Sequence, residues 1–82
     1  MELTREQHVA AARLLRVGQF VRYEPGEGVD PNLAAVVGRT GSIWRAPRSG
    51  AIRASVRFEW IDKHGTPISM SAPVLAGYLV TQ

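Results

Sequence analysis

Five arginines and one tryptophan in the middle of the chain are the residues whose chemistry best suits a partner. Arg39, Arg45, Arg48, Arg53 and Arg57 all fall between Pro31 and Phe58, a stretch with no Asp or Glu. A guanidinium donates paired, coplanar hydrogen bonds that match phosphate oxygens, where an ammonium offers a point charge. Trp44 stands beside Arg45, and an indole held at a surface gives a π-face on which a base can stack. Glu24, Glu27 and Asp30 directly precede the block, so the chain sets a negative loop beside a positive hairpin. Nine of the ten basic residues are arginine, Lys63 being the exception, and the formal net charge is +3.

Other chemistries have little footing. The absence of cysteine removes disulfides, iron–sulfur clusters, thiolate zinc sites and a cysteine nucleophile. His8 and His64 each lack a second histidine nearby, and only Asp62 accompanies His64, so both read as surface residues and no metal site is assigned. Ser42, Ser49, Ser55, Ser69 and Ser71 have no recognisable nucleophile context, and no pair of carboxylates is spaced to force their pKa values apart. No catalytic residue and no cofactor follow from the sequence. Gly26-Glu27-Gly28 lacks the Gly-Lys-Ser/Thr ending of a phosphate loop and carries a carboxylate where a phosphate would sit.

The elements that must position the arginines fit one small domain over residues 1–82, since a chain of this length buries only about 60–65% of its extended surface. Thr4-Arg5-Glu6-Gln7 has the spacing of a capping box, and the helix formers after it run to Gly18, which predicts a helix over 5–17. Its expected buried stripe is Ala10, Ala11, Leu14, Leu15 and Val17, with Arg5, Val9, Arg13 and Arg16 on a solvated side. Phe20-Val21-Arg22-Tyr23 opens the strand region, and Asp30-Pro31 can cap a helical turn closing at Gly38, which leaves 32–37 open between turn and strand. Residues 42–46 and 51–60 read as a hairpin around Pro47-Arg48-Ser49-Gly50. In its second arm Ile52, Ala54, Val56, Phe58 and Trp60 alternate with polar residues. Ile68, Met70 and Ala72 alternate in a further strand, Pro73 to Gly77 reads as a short helical turn, and Tyr78-Leu79-Val80-Thr81 closes the chain.

One helix followed by about five short strands predicts a mostly β fold, a small five-stranded barrel spanning 18–82 behind the N-terminal helix. The stretch Gly18-Gln19-Phe20-Val21-Arg22, then Gly38-Arg39-Thr40-Gly41-Ser42-Ile43, then the hairpin, resembles SH3-like barrels over residues 18–58, in particular the KOW type of ribosomal proteins and transcription factors. The leading helix also resembles the Sm-like variant, without a clear Sm signature in the last two strands. Gly38-Arg39-Thr40-Gly41 matches the GXXG loop of KH domains in letters, but a strand pattern follows it, which favours a glycine-bounded turn. The opening Gly-x-x-Val-Arg is similar to type II dihydrofolate reductases. Their Val-Gln-Ile-Tyr motif is replaced here by Ile68-Ser69-Met70-Ser71, so no active site carries over.

A tight hairpin turn would set Trp44 opposite Arg53, Ile43 opposite Ala54 and Ser42 opposite Ser55, with Ile43 inward and Trp44 outward. A one-residue bulge would instead turn Trp44 into the core. The resulting expectation is a nucleic-acid-binding surface for RNA or single-stranded DNA, with Arg39, Arg45, Arg48, Arg53 and Arg57 on phosphates and Trp44 on a base. The alternative is a regulatory or inhibitor module that docks on a larger protein, with the acidic loop 24–30 taking part. A homo-oligomer stays open, because the apolar run Leu33 to Val37 needs cover. That run is far shorter than the roughly 20 residues of a membrane span, the N-terminal residues have no signal-peptide layout, and the default location is cytoplasmic.

Overall fold

The computed structural model describes residues 3–82. Its elements are helix α1 (Arg5–Ala12), strand β1 (Phe20–Tyr23), a 3-10 helix η1 (Pro31–Val36), strands β2 (Thr40–Arg45), β3 (Arg53–Ile61) and β4 (Pro67–Leu75), a 3-10 turn η2 (Ala76–Tyr78) and strand β5 (Leu79–Thr81). The capping box forms as the sequence predicts. The Gln7 amide donates to Thr4 Oγ1 at 3.2 Å, and Gln7 Oε1 accepts from the Thr4 amide at 2.7 Å.

The helix is shorter than predicted, ending at Ala12 instead of residue 17. Beyond it the Leu14 and Leu15 amides reach back only three residues, to the carbonyls of Ala11 and Ala12. Arg16 then covers the carbonyls of Arg13 and Leu15 with its own guanidinium, at 2.9 and 3.0 Å. Packing overrides propensity here. The early stop drops Leu15 into the core and lets Gly18, at φ +87°, donate its amide to the Ile43 carbonyl at 2.7 Å. The expected stripe is corrected accordingly: Ala10, Leu14 and Val17 are exposed, and the buried positions are His8, Ala12 and Leu15. Residues 32–37 resolve as the capped turn, with the Asp30 carboxylate accepting from the Asn32 amide at 2.9 Å and Leu33 and Val36 buried.

The five strands form one antiparallel sheet in the order β4-β3-β2-β1-β5. The expected closure into an SH3-like or Sm-like barrel does not occur. β4 and β5 lie at opposite ends of an open sheet, and no ladder joins them. The edges themselves supply the reason. Pro73 opposes Ser55 and Pro67 opposes Ile61 in the β3–β4 ladder, so both prolines sit at positions whose N–H would point to the free edge, and neither has one to donate. β5 spans three residues, and a single 3-10 turn carries the chain to it from β4. A short edge and a proline-interrupted edge are two ways a sheet avoids further pairing.

One face of the sheet carries the core. Val21, Tyr23, Ile43, Ala54, Val56, Phe58 and Val74 point into it, covered by Leu15 after α1, by Leu33 and Val36 of η1, and by Ala76 and Tyr78 of η2. The other face is left to solvent. No helix among the described residues is long and apolar enough to cross a membrane.

Candidate functional site

The exposed face of the sheet is where the predicted arginine and tryptophan residues have to meet, and its register decides which do. β2 and β3 pair Gly41 with Phe58, Ser42 with Arg57 and Ile43 with Val56, two residues away from the predicted pairing. The hairpin does not zip down to its turn: the chain loops out over 46–52, where the Ala51 amide bonds the Arg48 carbonyl at 2.9 Å. Between Ile43 and Arg45 the ladder slips, and Arg45 pairs with Ser55. Trp44 is the extra residue of a β-bulge. A bulge sets two residues against one, so side chains that should alternate come out on the same side. Trp44 and Arg45 are both exposed, the indole at 49%, while Ile43 is buried. The sequence reading treated a bulge as the route that buries the indole; here the two-residue shift of register keeps Ile43 inward and Trp44 outward, and the bulge beyond Ile43 turns Arg45 to the same side.

The Arg45 guanidinium carbon lies 5.2 Å from the centroid of the Trp44 ring, a cation–π contact. Across the sheet, Phe20 opposes Ser42 and Ser42 opposes Arg57, so these side chains form one row on the exposed face. Phe20 is 62% exposed. Trp44 lies two residues along β2 from Ser42, on the diagonal from Phe20 across the same face. Phe20, Ser42 and Arg57 border a shallow depression of about 290 Å³ together with Thr40 and Glu59. Phe20 is the residue that sequence reasoning missed. The signal was present, because β1 alternates Phe20 and Arg22 against Val21 and Tyr23, and the buried tyrosine fixes which pair faces out.

The predicted arginines do not form one group. Arg45 and Arg57 share the exposed sheet face with Trp44, and Arg53 begins β3 on the same side. Arg57 is ion-paired, its Nε 2.9 Å from Glu59 Oε1. Arg48 sits in the loop, toward α1. Arg39 is elsewhere: its Nε donates to the Ala35 carbonyl at 3.0 Å, and its guanidinium carbon stacks 4.4 Å from the centroid of the half-buried Trp60 ring. That arginine holds η1 to the β3–β4 hairpin, away from Trp44 and Arg45, with its Nε already bonded.

The acidic loop is likewise tied into the fold. Glu24 Oε1 lies 2.8 Å from Arg22 Nε, close in distance but not aligned as a hydrogen bond, and Asp30 caps η1. Asp62 explains its proximity to His64 in the sequence: its carboxylate accepts the His64 and Thr66 amides at 2.8 and 2.9 Å and so shapes the β3–β4 turn. His8 is not on the surface. It is 4% exposed, its Nδ1 accepts the Gly77 amide at 3.0 Å, and its ring meets Tyr78 edge-on at 5.0 Å. No group of three or more His, Cys, Asp or Glu able to hold a metal occurs among the described residues.

No family model matches the chain, and neither curated proteins nor solved structures give a match. The geometry offers two aromatic faces and three guanidiniums on the open side of a sheet.

Proposed function

We propose that the chain binds single-stranded nucleic acid, RNA or DNA, across the exposed face of its sheet, in the cytoplasm. The observation that carries this reading is the β2 bulge, which holds Trp44 and Arg45 side by side in solvent with Phe20 on the diagonal. Bases stack on such aromatic faces without needing a duplex groove, and the backbone between them is drawn to Arg45, Arg53 and Arg57. The Arg57–Glu59 pair is exposed on both sides and contributes little stability, so a phosphate can displace the carboxylate. Among the described residues no recognition helix stands ready for a major groove, which favours single strands over duplex.

Fluorescence anisotropy with a labelled pyrimidine 12-mer, as RNA and as DNA, tests the reading. Trp44→Ala and Phe20→Ala should each weaken binding roughly 5- to 150-fold, the range expected for one stacked base. Arg45→Glu combined with Arg53→Glu should abolish it. Absence of saturable binding at about 50 mM salt, or affinity unchanged by all of these substitutions in folded protein, overturns the proposal.

A further inference from the structure

The helix arginines, which the sequence sets on a solvated side, are brought against the β2–β3 loop. A cleft of about 350 Å³ runs between the end of α1 and residues 46–51. The apolar residues that line it, Val9, Ala12, Leu15, Pro47 and Ala51, are buried or half-buried and so make its floor, while Arg13, Arg16 and Arg48, which also line it, are exposed at its rim. None of the described residues that line it is acidic. Arg5 ties the loop to the helix by donating to the Gly50 carbonyl at 3.2 Å, so the two walls are joined by a hydrogen bond.

The three rim arginines differ in what they have left to give. Arg16 is turned onto the carbonyls of Arg13 and Leu15, which covers the negative end of the helix and removes the main electrostatic obstacle to an anion there. The guanidiniums of Arg13 and Arg48 have no hydrogen-bond or ion-pair partner among the described residues. An apolar floor beneath two unpaired guanidiniums suits a flat apolar ring carrying a dianion, and the volume lies at the small end of the roughly 300–1,000 Å³ range of ligand sites. A phosphomonoester carries about −1.5 to −2 charges at neutral pH and a phosphodiester only one, so charge matching favours the monoester.

We infer that this cleft is a nucleotide subsite that takes a phosphomonoester between Arg13 and Arg48 with the base over the apolar floor. The ligand is the 5′-phosphorylated end of a strand or a free mononucleotide, which share this chemistry. The inference deepens the sheet-surface reading and rests on it for the class of ligand. It also gives the helix arginines a part in recognition.

The test is an amide chemical-shift titration of the whole chain with adenosine 5′-monophosphate, adenosine, and a hexanucleotide with and without a 5′-phosphate. Adenosine 5′-monophosphate should shift the amides of 12–16 and 46–51, and adenosine should leave them in place. Arg13→Ala and Arg48→Ala should each weaken the response roughly tenfold. Trp44→Ala should leave it unchanged. A response to the phosphorylated hexanucleotide at the same amides identifies a strand end as the ligand, and a response to the mononucleotide alone identifies the free nucleotide. If neither phosphorylated probe moves the cleft amides while the hexanucleotide still binds in a Trp44-dependent way, the cleft proposal fails and the sheet surface stands. If the mononucleotide fills the cleft but no oligonucleotide binds the sheet, the reverse holds.

Discussion

His8 shows how one buried side chain can make stability depend on pH. Its Nδ1 accepts the Gly77 amide, so the neutral ring with its proton on Nε2 is the form that fits. Burial lowers its pKa below the ordinary histidine value, and the positive charge of Arg53 adds to the effect. Above about pH 6.5 the ring is neutral whether the chain is folded or not, and the full contribution is present. As pH falls below that value the unfolded chain takes up the proton first, and stability drops by up to about 1.4 kcal/mol per pH unit until the folded protein protonates as well. Urea unfolding between pH 7.5 and 5 should show this slope in the wild type. In His8→Asn, whose side-chain oxygen can take the place of Nδ1, the slope should flatten; equal slopes in the two proteins rule the account out. The residue was legible only as a lone histidine on a helix. Its partner lies 69 positions away in the sequence, and no local pattern announces a contact with a 3-10 turn at the other end of the chain.

At the scale of elements, periodicity carried much of the information. The alternation of Ala54, Val56 and Phe58 gave β3 its inward face, and the Asp30-Pro31 cap gave η1 its start. Register and closure were not legible, because both depend on how far a hairpin zips and on which edges find a partner. Gly41 illustrates the constraint on register. It sits in β2 opposite Phe58, and a Cβ built there would lie 2.6 Å from the Arg57 carbonyl oxygen, 2.8 Å from a Val56 methyl and 2.9 Å from the Phe58 ring. The nearest atom is backbone and the others are core, so nothing flexible can yield. The same letters that match a KH loop thus mark a close approach of two strands. Gly41→Ala should lower stability by about 1–3 kcal/mol, the usual cost of overpacking, and disturb the amides of 56–58 in solution spectra. A variant as stable as wild type would mean that β2 and β3 are farther apart than described. The bulge at Trp44 also belongs to this scale, since one extra residue in β2 decides that the indole and its neighbouring guanidinium share a face.

For the whole molecule, the open sheet matters through the way it separates charge. Toward one end of the exposed face, Arg22 and Arg57 are offset by Glu24 and Glu59. Toward the other, Arg45 and Arg53 flank the loop carrying Arg48, and Arg13 faces that loop across the cleft; none of these four has an ion-pair partner among the described residues. A net charge of +3 therefore understates the field at the loop end, where an anionic strand would be drawn and oriented. If these four arginines neutralise phosphates of a single strand, each contact releases counterions, and log Kobs should fall against log salt with a slope of roughly −3, from about −0.7 per phosphate. Arg45→Ala or Arg53→Ala should make that slope shallower by about 0.7 to 1. Arg57→Ala should change it less, because binding there releases a carboxylate as well as a counterion, and Arg39→Ala should leave it unaltered. Anisotropy titrations at four salt concentrations measure all five proteins. Equal changes for Arg39, Arg45, Arg53 and Arg57 would point to diffuse attraction over the whole surface, whereas the predicted ranking requires a strand seated between the bulge and the loop.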